Sequence, residues 1–179
     1  MYILGFSCFM HDSAICLIKD GEIVCFVEEE RFNRLKHTGE FPDGAINYCL
    51  KKEKISLSDI EYIGYFMQPL LRLKWLVRDL LKNPLDAPGI LIQRLPANIA
   101  GIKKMLDLKK KFSKKSNFLF LNHHYTHAAS TFFVSPYKES AIFTIDGLGE
   151  WTSTGYYIGS GNNIKLIKRS KKVMQFLLY

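Results

Sequence analysis

The sequence predicts an α/β domain with a mixed β-sheet and flanking helices. Apolar, β-prone runs open the chain at residues 2–8, 13–18 and 22–27, and Asp20-Gly21 separates the last two as a hairpin turn. Helical patterns and further short apolar runs alternate over the rest of the chain. Hairpins followed by helices and then by more strands are typical of a mixed sheet.

Local signals define the middle elements, which are a helix over 45–50, a strand over 60–66, an amphipathic helix over 70–80 and a helical segment over 90–112. Pro42 and Asp43 precede the first of these helices. Asn83-Pro84 and Ala87-Pro88-Gly89 should break the amphipathic helix before the next helical segment.

The sequence pattern of the last third of the chain predicts one helix and four strands. The strands are expected over 118–121, 141–145, 152–158 and 164–168, with the last two in hairpin order. Asn122 can cap a helix that runs from about His123 to Val134. Ser135-Pro136 then ends this helix.

The composition excludes several classes of protein. With 47 % hydrophobic residues, the 179-residue chain is too apolar for intrinsic disorder and long enough for one core. No apolar run approaches the ~18 residues of a membrane helix, and the N-terminus lacks the basic region of a signal peptide. The four cysteines show no CxxC spacing, so we expect reduced, mostly buried thiols and a cytoplasmic location.

The positive charge is concentrated in one segment. Of the formal charge of +8, +6 comes from seven lysines and one aspartate between Lys103 and Lys115. Proteins that bind nucleic acid usually interleave arginine or stacking aromatics with the basic charge, and here only Phe112 interrupts the run. The pattern favours a solvated basic face over a nucleic-acid partner.

Three of the five histidines fall in the pentapeptide HHYTH at 123–127. On a helix, residues i and i+4 share a face, so His123 and His127 can converge on one divalent metal ion. His124 points about 100° away, so we expect it to support the pair or to face the substrate. The alternative is that the spacing has no function, because such matches are common.

Asp146 is the third candidate metal ligand. It follows the apolar strand 141–145 and opens the run DGLGE at 146–150, where glycines allow a ligand to approach the backbone closely. Together with two histidines it forms the ligand set of a non-haem Fe(II) site, and manganese or zinc fits the same set. An ordinary Asp-Gly turn is the alternative.

Two further polar segments have side chains suited to catalysis. His11 lies beside Asp12 in the first turn, where it can act as a general base. The second segment is a basic group that can bind phosphate, consisting of Arg31, Arg34, Lys36 and His37. The alternatives are an ordinary hairpin turn and a solvated charged segment.

Four segments resemble the O-carbamoyltransferases of nodulation-factor and antibiotic biosynthesis. They are LGFSCFMHDSAICLIKDGEIV at 4–24, EEERFNRLKHTGEFP at 28–42, NHHYTHAASTFFVSPYKESAIFTIDGLGEW at 122–151 and the weaker KVMQFLLY at 172–179. Their order and spacing agree with the family over most of the chain, except about 55–115. Four motifs in the same order are more specific than any one of them.

The resemblance implies both a fold and a reaction. The fold is an actin/hexokinase/Hsp70-like lobe, of the ribonuclease H-like type, in the branch shared with tRNA threonylcarbamoyl-transferring proteins. The reaction passes a carbamoyl group from carbamoyl-adenylate, made from carbamoyl phosphate and ATP, to a hydroxyl of a sugar or natural product. The partners implied are a small-molecule hydroxyl acceptor and the remainder of the enzyme.

The resemblance also implies roles for individual residues. His123, His127 and Asp146 would bind an iron ion that contacts the adenylate. His11 would deprotonate or orient the acceptor hydroxyl, and Lys36 would hold the nucleotide or the carbamoyl carbonyl. The other residues predicted to contact substrate or nucleotide are Asp12, Arg34, His124, Gly147, Gly149 and Glu150.

The chain departs from the family pattern near its end. Met174-Gln175-Phe176 stands where the family has a turn containing Ser-Leu-Gly. A fourth metal ligand from the second lobe and the C-terminal adenylate-forming domain have no counterpart in residues 1–179, so we expect a truncated N-terminal lobe that is inactive alone. The competing hypotheses are a tRNA-modifying transferase and a basic interaction module without catalytic activity.

Overall fold

The computed structural model describes residues 1–82, 84–149 and 152–170. The chain forms two compact units. The first comprises residues 1–66 and 104–120, and the second comprises residues 67–103 and the chain from 121 onward.

The first unit is built on a five-stranded mixed sheet. Its strands are β1 (Tyr2–Ser7), β2 (Ala14–Lys19), β3 (Glu22–Glu28), β4 (Ile60–Tyr65) and β5 (Asn117–Phe120), in the spatial order β3-β2-β1-β4-β5. The first three strands pair as antiparallel hairpins, β4 pairs parallel with β1, and β5 pairs parallel with β4. This order and these directions are those of a ribonuclease H-like lobe, which confirms the predicted fold class.

Two helices follow β3 in this unit. They are α1 (Glu30–Asn33) and α2 (Asp43–Glu53), the second of which contains the predicted helix 45–50. Helix α2 packs on β2 and β3 and buries Ala45, Ile46 and Cys49. Buried residues alternate along the strands, as with Leu4 and Phe6 of β1, because neighbouring side chains of a strand point to opposite faces.

A disulfide between Cys25 and Cys49 corrects the prediction of four reduced thiols. The packing of α2 on β3 brings the two Cα atoms to 5.8 Å, and no local signal reveals this across 24 residues of sequence. Cys8 and Cys16 are free. Burial raises the pKa of the Cys8 thiol to about 12 against the opposing charges of two lysines, so this thiol is a poor nucleophile.

Reduction of the Cys25–Cys49 disulfide is expected to lower the free energy of unfolding by about 3 kcal/mol, because the closed loop restricts the unfolded chain. Urea unfolding with and without a phosphine reductant measures this difference, and Cys16→Ser is the control because Cys16 is unpaired. Alkylation of all four cysteines in denatured, unreduced protein would contradict the disulfide.

The chain between β4 and β5 is helical. Helix α3 (Pro69–Lys82) agrees with the predicted amphipathic helix, and α4 (Ala87–Leu108) follows it. The predicted break of the amphipathic helix is confirmed, because α3 ends at Lys82. Helix α4 begins at Ala87 rather than at residue 90, because a proline in the first turn of a helix lacks only an amide hydrogen that has no partner there. Within the described residues, no helix has the length and apolar character needed to cross a membrane.

The second unit contains an antiparallel sheet and a covering helix. Helix α5 (His123–Phe132) precedes β6 (Glu139–Gly149), β7 (Thr152–Ser160) and β8 (Asn163–Ser170), which pair in that order. The core of this unit lies between helix and sheet, with Ala128 and Phe132 packed on Ile142, Tyr157 and Ile164. The predicted hairpin of the last two strands is confirmed.

Candidate metal centre

The start of helix α5 positions the histidines of the second unit. The side-chain Oδ1 of Asn122 accepts a hydrogen bond from the Tyr125 amide at 3.1 Å, so the helix begins at His123 as predicted. His123 and His127 are separated by one helical turn, and their ring centroids lie 4.6 Å apart. The two imidazoles therefore share one face of the helix.

Asp146 joins the two imidazoles in a compact group. The Nε2 atoms of His123 and His127 lie 3.0 Å apart, and Asp146 Oδ2 lies 2.7 Å from the first and 3.7 Å from the second. All three ligand atoms lie within 4.8 Å of one another. Two imidazoles and one carboxylate suit iron, manganese or zinc, so these residues fit a divalent metal ion.

The electrostatics of this group favour unprotonated ligand atoms. Burial lowers the pKa of His123, and the neighbouring His127 adds to this effect against the opposing influence of Asp146. Burial raises the pKa of Asp146, but the hydrogen bond from His123 and the charges of both imidazoles outweigh it and leave that pKa below its usual value. His123 and Asp146 thus offer lone pairs near neutral pH, as metal binding requires.

An irregularity in β6 orients Asp146. Ile145 pairs with Thr154 and Gly149 pairs with Thr152, so residues 146–148 stand opposite Ser153 alone. Extra residues of this kind bend a strand and redirect its side chains. The prediction that the strand ends at 145 is therefore wrong, since β6 continues to Gly149 and includes Asp146.

His124 has a structural position rather than the substrate-binding role that we predicted. It is only 2 % exposed, and its Nδ1 and Nε2 lie 2.8 Å from Thr144 Oγ1 and 2.6 Å from the Thr152 carbonyl oxygen. A carbonyl only accepts, so Nε2 donates to it and Nδ1 can accept from the Thr144 hydroxyl. Both ring nitrogens are thus occupied, and His124 ties α5 to β6 and β7.

A second histidine group lies in the first unit. His11 and Asp12 occupy the loop between β1 and β2, and His37 follows α1. Nδ1 of His11 lies 2.7 Å from Asp12 Oδ2, and Nδ1 of His37 lies 2.7 Å from Asp12 Oδ1. Asp12, predicted to contact substrate or nucleotide, therefore binds two imidazoles of its own chain. The catalytic role of His11 stays a prediction.

The predicted anion-binding residues Arg34 and Lys36 lie on the surface. Arg34 ends α1 with a left-handed φ of 62°, and Lys36 is exposed beyond it. Over the described ranges neither side chain forms a hydrogen bond or an ion pair. Both cations are therefore available to an anionic ligand, and their predicted roles stay predictions.

The glycine-rich run after Asp146 is only partly described. Gly147 lies in open space, since an added Cβ would meet nothing within 4 Å. Gly149 pairs with Thr152 at the end of β6. Glu150, which we predicted to contact substrate or nucleotide, lies outside the described residues, as do 151 and 171–179 with the weaker motif.

Glu29 is a site-forming residue that the sequence did not single out. It is 6 % exposed, and its carboxylate accepts hydrogen bonds from the amides of Gly44 and Ala45 at 3.1 Å and 2.8 Å. These amides open α2, where Pro42 supplies no capping side chain. The absence of a capping side chain before α2 was the sequence signal that an acid elsewhere in the chain bonds these amides. Through these bonds Glu29 fixes the start of α2 to the end of β3.

Some lysines of the basic stretch contact their own chain. Lys104 Nζ lies 3.9 Å from the ring centroid of Phe9, and Lys111 Nζ lies 4.2 Å from that of Phe41. Lys110 pairs with Asp107 at 2.6 Å. Intramolecular contacts thus account for the orientation of three of these cations.

Comparison with known proteins identifies the family. Residues 2–173 match the family model described as the carbamoyltransferase N-terminus. The chain belongs to the carbamoyltransferase family. It is 36 % identical over 162 residues to the nodulation protein NolNO of Sinorhizobium fredii, an alignment that covers 88 % of this chain and 22 % of NolNO.

Other similar proteins extend this comparison. An uncharacterised protein of Synechocystis is 40 % identical over 175 residues, covering 91 % of this chain and 28 % of that protein. This carbamoyltransferase chain thus spans about a quarter of the length of these relatives. Among solved structures, YeaZ from Pseudomonas aeruginosa has a TM-score of 0.47 at 11 % identity, covering 95 % of this chain and 68 % of YeaZ.

Proposed function

We propose that this chain is the N-terminal part of an enzyme that carbamoylates a hydroxyl group. The donor is carbamoyl-adenylate, formed from carbamoyl phosphate and ATP, and the acceptor is a sugar or another natural product. The observation that supports this most is the convergence of His123, His127 and Asp146 within 4.8 Å in a member of the carbamoyltransferase family.

His123, His127 and Asp146 would hold the divalent metal, Fe(II) in the first instance. A bound divalent ion supplies positive charge for the phosphate and carbonyl oxygens of the adenylate. His123 is 9 % exposed whereas the side chain of His127 is 48 % exposed, so the group has one buried wall and one open side. An open side leaves room for a substrate oxygen beside the protein ligands.

Residues of the first unit would handle the acceptor and the negative charge. His11 has a largely exposed ring, with 72 % of its side chain accessible, and it would take the proton of the acceptor hydroxyl. Lys36 and Arg34 would bind the phosphate or the carbamoyl oxygen, since each is an exposed cation. A carbamoyl–phosphate anhydride already has a good leaving group, so activation of the weakly acidic hydroxyl is the main requirement.

The reaction would also need protein beyond this chain. The family model is that of an N-terminus, and the relatives are about four times as long as the matched region. We therefore assign the formation of the adenylate to parts of the relatives that this chain does not match.

The chain alone is expected to transfer no radiolabelled carbamoyl group from carbamoyl phosphate to a panel of sugars in the presence of ATP and Fe(II). A chimera in which it replaces the matching segment of NolNO is expected to restore transfer, and His11→Ala in that chimera should lower the rate about 100-fold. Radioactivity in the separated sugars measures the product.

Unaltered NolNO, with an acceptor that it carbamoylates, is the positive control for the chimera. Tyr137→Phe is the matched variant, because Tyr137 is exposed and lies outside both histidine groups. An inactive chimera beside active NolNO, or efficient transfer by the chain alone, would contradict the proposal.

A further inference from the structure

Backbone hydrogen bonds join the β1–β2 loop to the segment 37–39. The amide of Phe9 donates to the Gly39 carbonyl at 2.7 Å, and the amide of Ser13 donates to the Thr38 carbonyl at 2.9 Å. These bonds flank the side chains of the histidine group in the first unit. The main chain itself therefore holds the two segments at a fixed distance.

Unfavourable backbone conformations are concentrated at this junction. Three of its non-glycine residues have left-handed φ values, namely Phe9 at 73°, Asp12 at 52° and His37 at 55°. Only glycine fits at position 39, because an added Cβ would lie 2.3 Å from the Met10 carbonyl oxygen. Strained residues of this kind persist where the surrounding structure and a function require them.

One carboxylate holds two imidazoles at this junction. Asp12 can only accept, so Nδ1 of His11 and Nδ1 of His37 each donate to it, and Nε2 of a neutral ring then bears the lone pair. The hydrogen bond from His37, followed by that from His11, lowers the pKa of Asp12. The same bond raises the pKa of His37, with smaller contributions from Glu30 and Glu28.

We propose that Asp12 is a positioning residue that holds His11 in the Nδ1–H tautomer, with the Nε2 lone pair free to accept a proton. His37, bound to the other carboxylate oxygen, fixes the orientation of Asp12. The proposal rests on the proposed function only in naming the acceptor hydroxyl as the source of that proton.

The proposed proton transfer would use the Nε2 lone pair of this tautomer. As the hydroxyl oxygen forms its bond to the carbamoyl carbon, its O–H bond breaks and the proton binds Nε2 of His11. The adenylate phosphate leaves with the electron pair of the bond to the carbamoyl carbon. Asp12 then faces an imidazolium, which its negative charge stabilises.

Long-range proton–nitrogen NMR of the histidine rings tests the proposal. In the wild-type chain, we expect His11 to show a protonated Nδ1 and an unprotonated Nε2. In Asp12→Asn the ring should return to the Nε2–H tautomer that free histidine prefers in water, and the pKa of His37 should fall toward 6.5. Asparagine tolerates the left-handed φ of position 12, so the loop should keep its fold.

Asp20→Asn is the matched control for Asp12→Asn. Asp20 also has a φ of 52° in a turn between strands, and its carboxylate bonds the N-terminal ammonium at 2.6 Å. An unchanged His11 tautomer in Asp12→Asn, or the same change in Asp20→Asn, would overturn the proposal.

Zinc titration of the His123→Ala variant tests whether the Asp12 group is instead a metal site, because Asp12, Glu30 and His37 also have ligand atoms within 4.8 Å of one another. We expect the Nδ1–H signals of His11 and His37 to survive an equimolar addition of zinc. Their stoichiometric loss would assign the group to a metal ion and overturn the proposal.

Activity measurements separate this inference from the proposed function. In the active chimera, Asp12→Asn should lower kcat about 100-fold and leave KM nearly unchanged. The expected tautomer in a chimera that transfers nothing would refute the function and leave the positioning role intact. Full activity in Asp12→Asn would refute the positioning role and leave the function intact.

Discussion

His123→Ala is expected to weaken binding of a divalent metal by at least about 100-fold, because it removes the central ligand of the group. His123 Nε2 lies 2.7 Å from Asp146 Oδ2 and 3.0 Å from His127 Nε2, so its loss leaves the other two donors 3.7 Å apart without a shared neighbour. Cobalt(II) is a suitable probe, since its visible absorption reports the ligand set. Affinity should also fall as the pH drops below the ordinary histidine value of 6.5, because protons compete with the metal.

His37→Ala is the matched control, since it removes an imidazole from the other histidine group. Retained cobalt absorption in His123→Ala together with its loss in His37→Ala would place the metal at Asp12, Glu30 and His37 instead. Asp146→Asn is a second test that does not depend on the buried position of His123. It keeps the side-chain volume and removes the charged ligand, so cobalt binding should fall here too.

The convergence of His123, His127 and Asp146 could be predicted because most of its geometry is local. The i,i+4 spacing of His123 and His127 fixes both rings to one face of any helix that includes them. Asn122 marked the start of that helix, and the structure confirms the cap. Asp146 is 23 residues from His123, and its inclusion rested on the position of Asp-Gly after an apolar strand.

Other features depend on long-range packing that leaves no local pattern. Asp12 meets His37 across 25 residues because two backbone hydrogen bonds join their segments. Cys25 meets Cys49 because α2 packs on β3. In both cases the sequence showed suitable residue types, and only the tertiary fold determined the pairs.

The irregular stretch of β6 shows a different limit of the sequence pattern. Asp-Gly favours a break in regular strand pairing, and a turn and a bulge both satisfy that preference. The choice between them depends on β7, which resumes pairing with Gly149 through Thr152. A pattern within one strand cannot contain this information.

His124→Ala is expected to lower the free energy of unfolding by about 3 kcal/mol. The substitution removes a ring that is 2 % exposed and leaves a cavity between α5 and the sheet. It also removes one hydrogen-bond partner from the Thr144 hydroxyl and one from the Thr152 carbonyl. Urea unfolding measures the loss, and His124→Gln should recover part of it because glutamine keeps a donor and an acceptor.

His127→Ala is expected to give the opposite result, a loss of metal binding with little change in stability. The side chain of His127 is 48 % exposed, so its removal should change the stability by less than about 0.5 kcal/mol while it abolishes tight cobalt binding. His124→Ala should keep cobalt affinity within a few-fold wherever the protein is folded. Equal stability of His124→Ala and wild type would instead restore the substrate-facing role for His124, because a ring that holds no structure together is free to contact a ligand.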